Sequence, residues 1–278
     1  MMTSSTIDVV IASYRERIEA LRATVGACLA QTAEIGALWV VDDGSPTPIT
    51  RDTLPAEQRL RLVRMNHNLG ISAARMAAIS QATADHVACV NVDILPAPDW
   101  GQVCQQYLST HERVGVVYTR LQPANPGRLL SQWRMRFHEE KYDREEGAAT
   151  FAPGHAVLFR RDAINAVGGY DLALRRIGED SEICERLWRA GWEVHFTNRS
   201  YCISIQTDTL RYLARKQLLR DGLDPAAARV RPVLSRALRG LTNRLGRNLL
   251  RGRFTFVPVD LGVFALEVVY LARARVRW

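Results

Sequence analysis

Along the first 200 residues, short apolar runs alternate with stretches of helical spacing. Ile7–Ala12 (IDVVIA), Ala37–Val41 (ALWVV), Leu60–Met65, His86–Asn91 (HVACVN) and Val114–Tyr118 read as strands. Most are too continuously apolar for burial on one face only. Ile18, Leu21, Val25 and Leu29 recur at helical spacing, and Ser72–Gln81 is an Ala-rich helix behind Asn68-Leu69-Gly70. Asp42–Pro48 (DDGSPTP) is turn chemistry. Further on come a strand at Ala156–Phe159, a turn at Gly168-Gly169, a helix at Ser181–Arg189 and a strand at Glu193–Thr197. Strand alternating with helix predicts an α/β fold, Rossmann-like, with a mainly parallel sheet and helices on both faces. The polar stretch Gln122–Thr150 reads as a lid, a recognition loop or an exposed connector.

The pattern changes near residue 210. Leu234, Leu238, Leu241, Leu245 and Leu249 form one stripe at ~100° per residue, with Arg236, Arg239, Arg244, Arg247 and Arg251 on the other side. This predicts a basic amphipathic helix of the kind that lies on anionic membranes. Phe254–Ala272 is apolar but interrupted by Pro258, Asp260 and Glu267, so it is expected in the membrane interface or against the body, not across a bilayer. Arg273, Arg275, Arg277 and Trp278 suit a headgroup layer. The expected division is a body at 1–210 and a basic helical extension at 211–278.

Charge follows this division. From Arg211 onward there are 15 Lys and Arg against 4 Asp and Glu, a net of +11, which leaves −3 of the chain's +8 to the first 210 residues. A basic extension calls for a phosphate-rich partner. Lacking interleaved aromatics or a nucleic-acid module, it points to anionic lipid and not to nucleic acid. The hydrophobic fraction of 47% supports a large core and excludes disorder as the main state. Five cysteines without metal-ligand spacing read as reduced core thiols, and MMTSSTIDVV lacks the features of a signal peptide; both suit a cytoplasmic chain.

In a sheet of this kind, ligands bind beyond the carboxyl ends of the strands. The residues there are Ser13-Tyr14-Arg15, Asp42-Asp43-Gly44-Ser45, Asn66–Gly70 and Asn91-Val92-Asp93. Asp93 is either a ligand for Mg²⁺ or Mn²⁺ or a cap for the segment before Pro96 and Pro98. Glu179-Asp180 either caps a helix, where acids are favoured, or supplies a general base. Arg75 lies on a solvated helix face or contacts a donor phosphate. The six histidines form no pair at metal-ligand spacing. The signatures of P-loop NTPases, zinc proteases and serine hydrolases are absent, which removes the main support for those classes.

Taken in order, VVIASYRE (Val9–Glu16), VVDDGS (Val40–Ser45), NHNLGISAARMAAI (Asn66–Ile79), NVD (Asn91–Asp93), GHAVLFRRDAINAVGGYD (Gly154–Asp171) and GEDSEICERLWRAGWEV (Gly178–Val194) resemble a family 2 inverting glycosyltransferase of GT-A fold over residues 7 to 200. The resemblance implies transfer of a sugar from a nucleotide sugar to a glycan or glycolipid acceptor. It implies Ser13, Tyr14 and Glu16 near the base, Asp42 or Asp43 on base or ribose, and Asn68, Gly70 and Arg75 at the base and diphosphate. Asp93 would match the last acid of D-x-D and ligate the metal, and Asp180, beside Glu179, would be the catalytic base. Gly154 and Gly168-Gly169 would shape the acceptor side, with Trp188 and Trp192 in packing. UDP donors are commonest in the family, and GDP and dTDP donors occur. Asn91 replaces the first acid of D-x-D, and Ser200–Ser204 lacks the family's frequent His ligand, so Asp93 is the one ligand assigned. With the basic extension, this reading places the enzyme on the inner face of the cell membrane, in envelope polysaccharide or glycolipid synthesis. The rivals are a non-catalytic sugar-nucleotide-binding protein, a nucleotidyltransferase (SYRER lacks its expected Gly-rich loop) and a membrane adaptor.

Overall fold

The computed structural model describes residues 5–142, 145–220 and 230–275. Arg277 and Trp278 lie outside the described residues. The chain divides into two compact units: Met1–Ala124 with Glu140–Gln206, and Asn125–Glu139 with Thr207–Trp278.

The first unit is built on a nine-stranded sheet. Its strands are β1 (Ile7–Ser13), β2 (Ile35–Asp42), β3 (Leu60–Arg64), β4 (His86–Val90), β5 (Ile94–Pro96), β6 (Val114–Pro123), β7 (Gly147–Ala148), β8 (Ala156–Arg160) and β9 (Glu193–Ser204). They run in the order β3-β2-β1-β4-β8-β6-β9-β5, with β7 on β9. The pairs β1–β2, β1–β4, β2–β3 and β6–β9 are parallel; β8 runs antiparallel to β4 and β6, and β5 and β7 antiparallel to β9. The sheet is thus mixed, with its parallel half at the N-terminal strands. Every residue of β4 is buried, and so is nearly all of β1, as their continuous apolar runs require. The helices are α1 (Ile18–Leu29), α2 (Ile71–Ile79), α3 (Trp100–Thr110), α4 (Leu129–Tyr142), α5 (Arg161–Ala166) and α6 (Glu179–Arg189), followed by α7 (Leu210–Arg220), α8 (Val230–Leu250) and α9 (Val257–Arg275). Helix α2 packs on β1 and β2, α1 on β5 and β2, and α3, α5 and α6 on the strands around β6 and β9.

Several sequence expectations change. The final strand runs to Ser204, past Thr197, because a register shift at Thr119–Arg120 lets β6 and β9 pair again beyond an irregular step. Gln122–Thr150 is not a loop: it contains the end of β6, helix α4 and β7. Trp188 is 40% exposed rather than packed. All five cysteines are buried and unbridged, and burial pushes the Cys184 and Cys202 thiols up to about 12.

The second unit is helical. Trp133, Leu213, Ala214, Val259 and Val263 form its apolar centre. Around it lie buried charges in pairs: Arg134 with Asp208 at 2.7 Å, Arg136 with Asp260 at 2.6 Å and Arg244 with Glu267 at 3.3 Å. Asp260 also accepts from Trp133 Nε1 at 2.8 Å and from Asn248. Helix α8 buries Ala237, Leu241, Arg244 and Asn248, while Leu238 and Leu249 are exposed. The buried face is therefore rotated from the leucine stripe, and Arg244, expected outside, points inward because Glu267 neutralises it. Segment Phe254–Ala272 has the length and composition to cross a membrane, yet Asp260 and Glu267 within it are fully buried and ion-paired.

Candidate active site

The carboxyl ends of β1 and β2 lie side by side, with Ser13 opposite Asp42 and Asp43 N–H donating to Ser13 O at 2.9 Å. Asp42 is fully buried. Its carboxylate accepts from Ser45 N–H at 2.9 Å, Ile49 N–H at 3.1 Å and the Arg64 guanidinium. Burial alone would raise this carboxyl; the Ser45 and Ile49 hydrogen bonds and Arg64 hold it below the usual carboxylate range. Asp43 turns the other way. It accepts from Leu69 N–H at 2.8 Å, Gly70 N–H at 2.9 Å and Asn68 Nδ2 at 2.8 Å. The two adjacent acids therefore organise different loops, one its own turn and the other the Asn68–Gly70 loop before α2.

Glycine is required in both loops. Gly44 has φ +68°, and an added Cβ would lie 2.5 Å from the His67 carbonyl carbon. Gly70 has φ +99°, and a Cβ there would lie 2.3 Å from Arg175 O. Arg175 in turn donates to Leu69 O at 3.0 Å and Asn68 O at 2.6 Å, and its own carbonyl accepts from Ile71 N–H at 3.0 Å. The loop before α6 and the loop before α2 are thereby fastened together. Tyr14 and Glu16 are exposed beyond β1, and Arg15 takes φ +57° with its N–H on Ser45 Oγ at 3.0 Å.

Arg75 joins the remaining motifs. It is 2% exposed, so it does not lie on a solvated helix face. Its guanidinium donates to Glu179 Oε1 at 3.2 Å, Asn91 Oδ1 at 3.1 Å and Gly154 O at 2.9 Å, and lies 5.0 Å from the centre of the Tyr170 ring. Burial works against its charge, but the surrounding acidic groups (Tyr170, Cys89, Glu179 and Asp180) hold its pKa above the ordinary guanidinium value. Gly154 passes the connection on, since its N–H donates to Asp180 Oδ2 at 3.1 Å. One cation thus links the Asn91–Asp93 turn, the Gly154 backbone and the start of α6. The same contacts account for Asn91. A carboxylate there would give Arg75 a second anion beside Glu179, whereas the amide accepts the hydrogen bond and keeps the buried charges balanced.

Glu179 and Asp180 differ. Glu179 is buried and ion-paired with Arg75. Asp180 is half-buried, bonded to the N–H groups of Gly154 and Ser181, and in no ion pair among the described residues. Asp93 is half-buried, and its carboxylate meets no protein partner among the described residues; its main-chain oxygen accepts from Ile205 N–H at 2.9 Å. His195 is engaged elsewhere, with Tyr107 at 2.9 Å and Glu193 at 3.0 Å. No three His, Cys, Asp or Glu side chains among the described residues gather as a metal cluster. This donor set fits a hard cation that brings its other oxygen ligands on a diphosphate and water, and does not fit an all-protein cage. Tyr170 and Arg175 are the site-building residues that sequence reasoning missed. The aromatic after Gly168-Gly169 was a readable signal for the first, and no local signal marks the second.

The glycosyl transferase family 2 model matches residues 8–168, and the glycosyl transferase family group 2 model matches residues 102–238. A pre-mycofactocin glycosyltransferase of Mycobacterium tuberculosis is 26% identical over 198 residues, which are 68% of this chain and 42% of that protein. An N-acetylglucosaminyltransferase of Sinorhizobium fredii is 27% identical over 88% of this chain and 64% of its own length. The chain thus spans only part of the curated relatives it matches. Among solved structures, a mannosyltransferase of Pyrobaculum calidifontis in complex with GDP-Man and Mn²⁺ superposes with a TM-score of 0.62 at 17% identity, over 97% of this chain and 88% of that one. GalNAc-T7 with UDP, GalNAc and Mn²⁺ gives 0.58 at 16% identity, over 78% and 48%. The fold is that of the GT-A glycosyltransferases, and the chain belongs to glycosyl transferase family 2.

Proposed function

We propose that this chain moves a sugar from a nucleoside-diphosphate sugar to an acceptor hydroxyl with inversion at the anomeric carbon. Asp180 takes the hydroxyl proton as the acceptor oxygen bonds to the anomeric carbon. The bond from that carbon to the diphosphate oxygen breaks, and the nucleoside diphosphate leaves. The observation that carries this assignment is the contrast between the two acids: Asp180 is accessible and in no ion pair among the described residues, whereas Glu179 is buried against Arg75. Arg75 acts through Glu179, Asn91 and Gly154 as a positioning residue. Ser13, Tyr14, Glu16 and Asp43 would line the nucleotide side, with the Asn68–Gly70 loop that Asp43 holds bordering the base and diphosphate. Bound Mg²⁺ or Mn²⁺ neutralises charge on the diphosphate, and Asp93 would hold it. The structural neighbours carry UDP or a GDP sugar with Mn²⁺, which supports a donor of this class; UDP sugars, commonest in the family, are the first to test.

Transfer is assigned to the body, residues 1–210, and contact with an anionic membrane to 211–278. The enzyme would work peripherally on the cytoplasmic face, on a glycan or glycolipid acceptor of the envelope. The test is nucleoside diphosphate release from UDP-, GDP- and dTDP-sugars in the presence of envelope lipid extracts. Asp180→Asn is expected to lose about 10²–10⁴-fold in rate with donor affinity unchanged; a fully active variant would remove Asp180 from the chemistry. One observation favours a second reading, a sugar-nucleotide-binding protein without transfer: Asn91 faces Arg75 rather than offering a second metal carboxylate. Donor binding without turnover in any extract would select it.

A further inference from the structure

We propose that the end of α8 and the turn joining it to α9, residues 247–254, insert into the surface of an anionic lipid bilayer. It rests on the membrane association proposed above and places the contact in one turn. Leu250 is 89% and Phe254 66% exposed, the two most exposed large apolar side chains among the described residues, and Leu249 is 50% exposed. Arg247, Arg251 and Arg253 alternate with them. Residues 230–259 contain seven arginines and no acid. One of the seven, Arg244, is buried and paired with Glu267, and the next acid, Asp260, is fully buried against Trp133 and Arg136.

The turn is held in a defined shape. Gly252 takes φ +65°, its N–H donates to Leu249 O at 3.1 Å, and Arg253 N–H donates to Asn248 O at 2.8 Å. This closes the end of α8 in the manner of a glycine C-cap and keeps the leucines outward. Apolar tips among cations suit the boundary between acyl chains and anionic headgroups. A span by α9 fits less well, because Asp260 and Glu267 would be drawn into hydrocarbon away from Arg136 and Arg244.

The test is vesicle co-sedimentation of the full chain with phosphatidylcholine alone and with phosphatidylcholine containing phosphatidylglycerol, across a salt series. Wild type is expected to bind the anionic vesicles and to release with salt. Leu250→Ser/Phe254→Ser is expected to weaken binding at least about tenfold, since two large side chains lose their burial. Arg247→Gln/Arg251→Gln is expected to weaken it about fivefold per arginine. Near-ultraviolet circular dichroism and Tm should match wild type in both variants. Wild-type binding retained in full by Leu250→Ser/Phe254→Ser would overturn the turn as the contact while leaving membrane association standing. No binding by wild type would overturn both. A wild-type oligomer that Leu250→Ser/Phe254→Ser dissociates, with vesicle binding unchanged, would make the turn a contact between copies and overturn the proposal.

Discussion

Replacing Arg75 by Met removes the cation from the centre of the site while keeping an unbranched stem. Arg75 and Glu179 are 2% and 8% exposed at the side chain, so the remaining carboxylate loses its Arg75 ion pair at a position with little access to solvent. Breaking a buried pair in this way costs about 3–5 kcal/mol. At roughly 2–4 °C per kcal/mol in a chain of this size, Tm should fall by about 10 °C. The loss should also depend on pH. Without Arg75, the folded state relieves the buried Glu179 by keeping its carboxyl protonated to higher pH than in the unfolded chain. The folded variant then binds more protons than the unfolded one, so its stability falls as pH rises and its deficit is smallest in acid. The double variant Arg75→Met/Glu179→Gln, which removes the stranded charge, should recover most of the loss at neutral pH. Urea unfolding of the three proteins between pH 5 and pH 8 (about the range in which such a carboxyl titrates) measures all of this. A loss below about 1 kcal/mol, or one that the double variant does not relieve, would refute the view of Arg75 as a charge-balanced hub.

Two further outcomes are expected. Gly70→Ala forces a Cβ to within 2.3 Å of Arg175 O at a φ of +99°; it should lose more than ~1 kcal/mol in denaturant unfolding and weaken nucleotide binding. Asp42 is held below the usual carboxylate range, so its stabilisation is present above its unfolded pKa and is lost as pH falls through the folded one; Asp42→Asn should cost about 1–3 kcal/mol at neutral pH and show a shallower decline on acidification, read from urea unfolding across an acid pH series.

The strands that position the site were legible because burial on both faces demands continuous apolar runs, and β1, β2 and β4 carry them. The loops were legible for the same reason: the residues directly after such a run sit at the sheet's carboxyl edge. Arg75 was not legible. Its partner Glu179 is 104 residues away, and an arginine in an Ala-rich helix looks solvated until the other three elements close over it. The choice between Asp42 and Asp43 depends on which way each side chain leaves the strand end, toward the turn or toward Gly70, and composition says nothing of that. Helix α4 was hidden likewise. Arg134 and Arg136 are buried there only because Asp208 and Asp260 neutralise them from later in the chain, and the Trp133 indole N–H donates to Asp260. The leucine stripe of α8 misled for the same reason, since Glu267 draws Arg244 inward.

The most direct test of donor binding at the β-strand ends is thermal shift of wild type and Asp93→Ala with UDP, GDP and dTDP, each with and without Mn²⁺. A nucleotide at about a hundredfold its Kd stabilises the folded state by ~2.7 kcal/mol. Metal-dependent stabilisation of wild type by one of the three, lost in Asp93→Ala, is the expected result, and it names the base. No stabilisation by any nucleotide in either metal condition, or a shift that Asp93→Ala retains in full, would contradict the assignment of this site to a metal-bound sugar nucleotide.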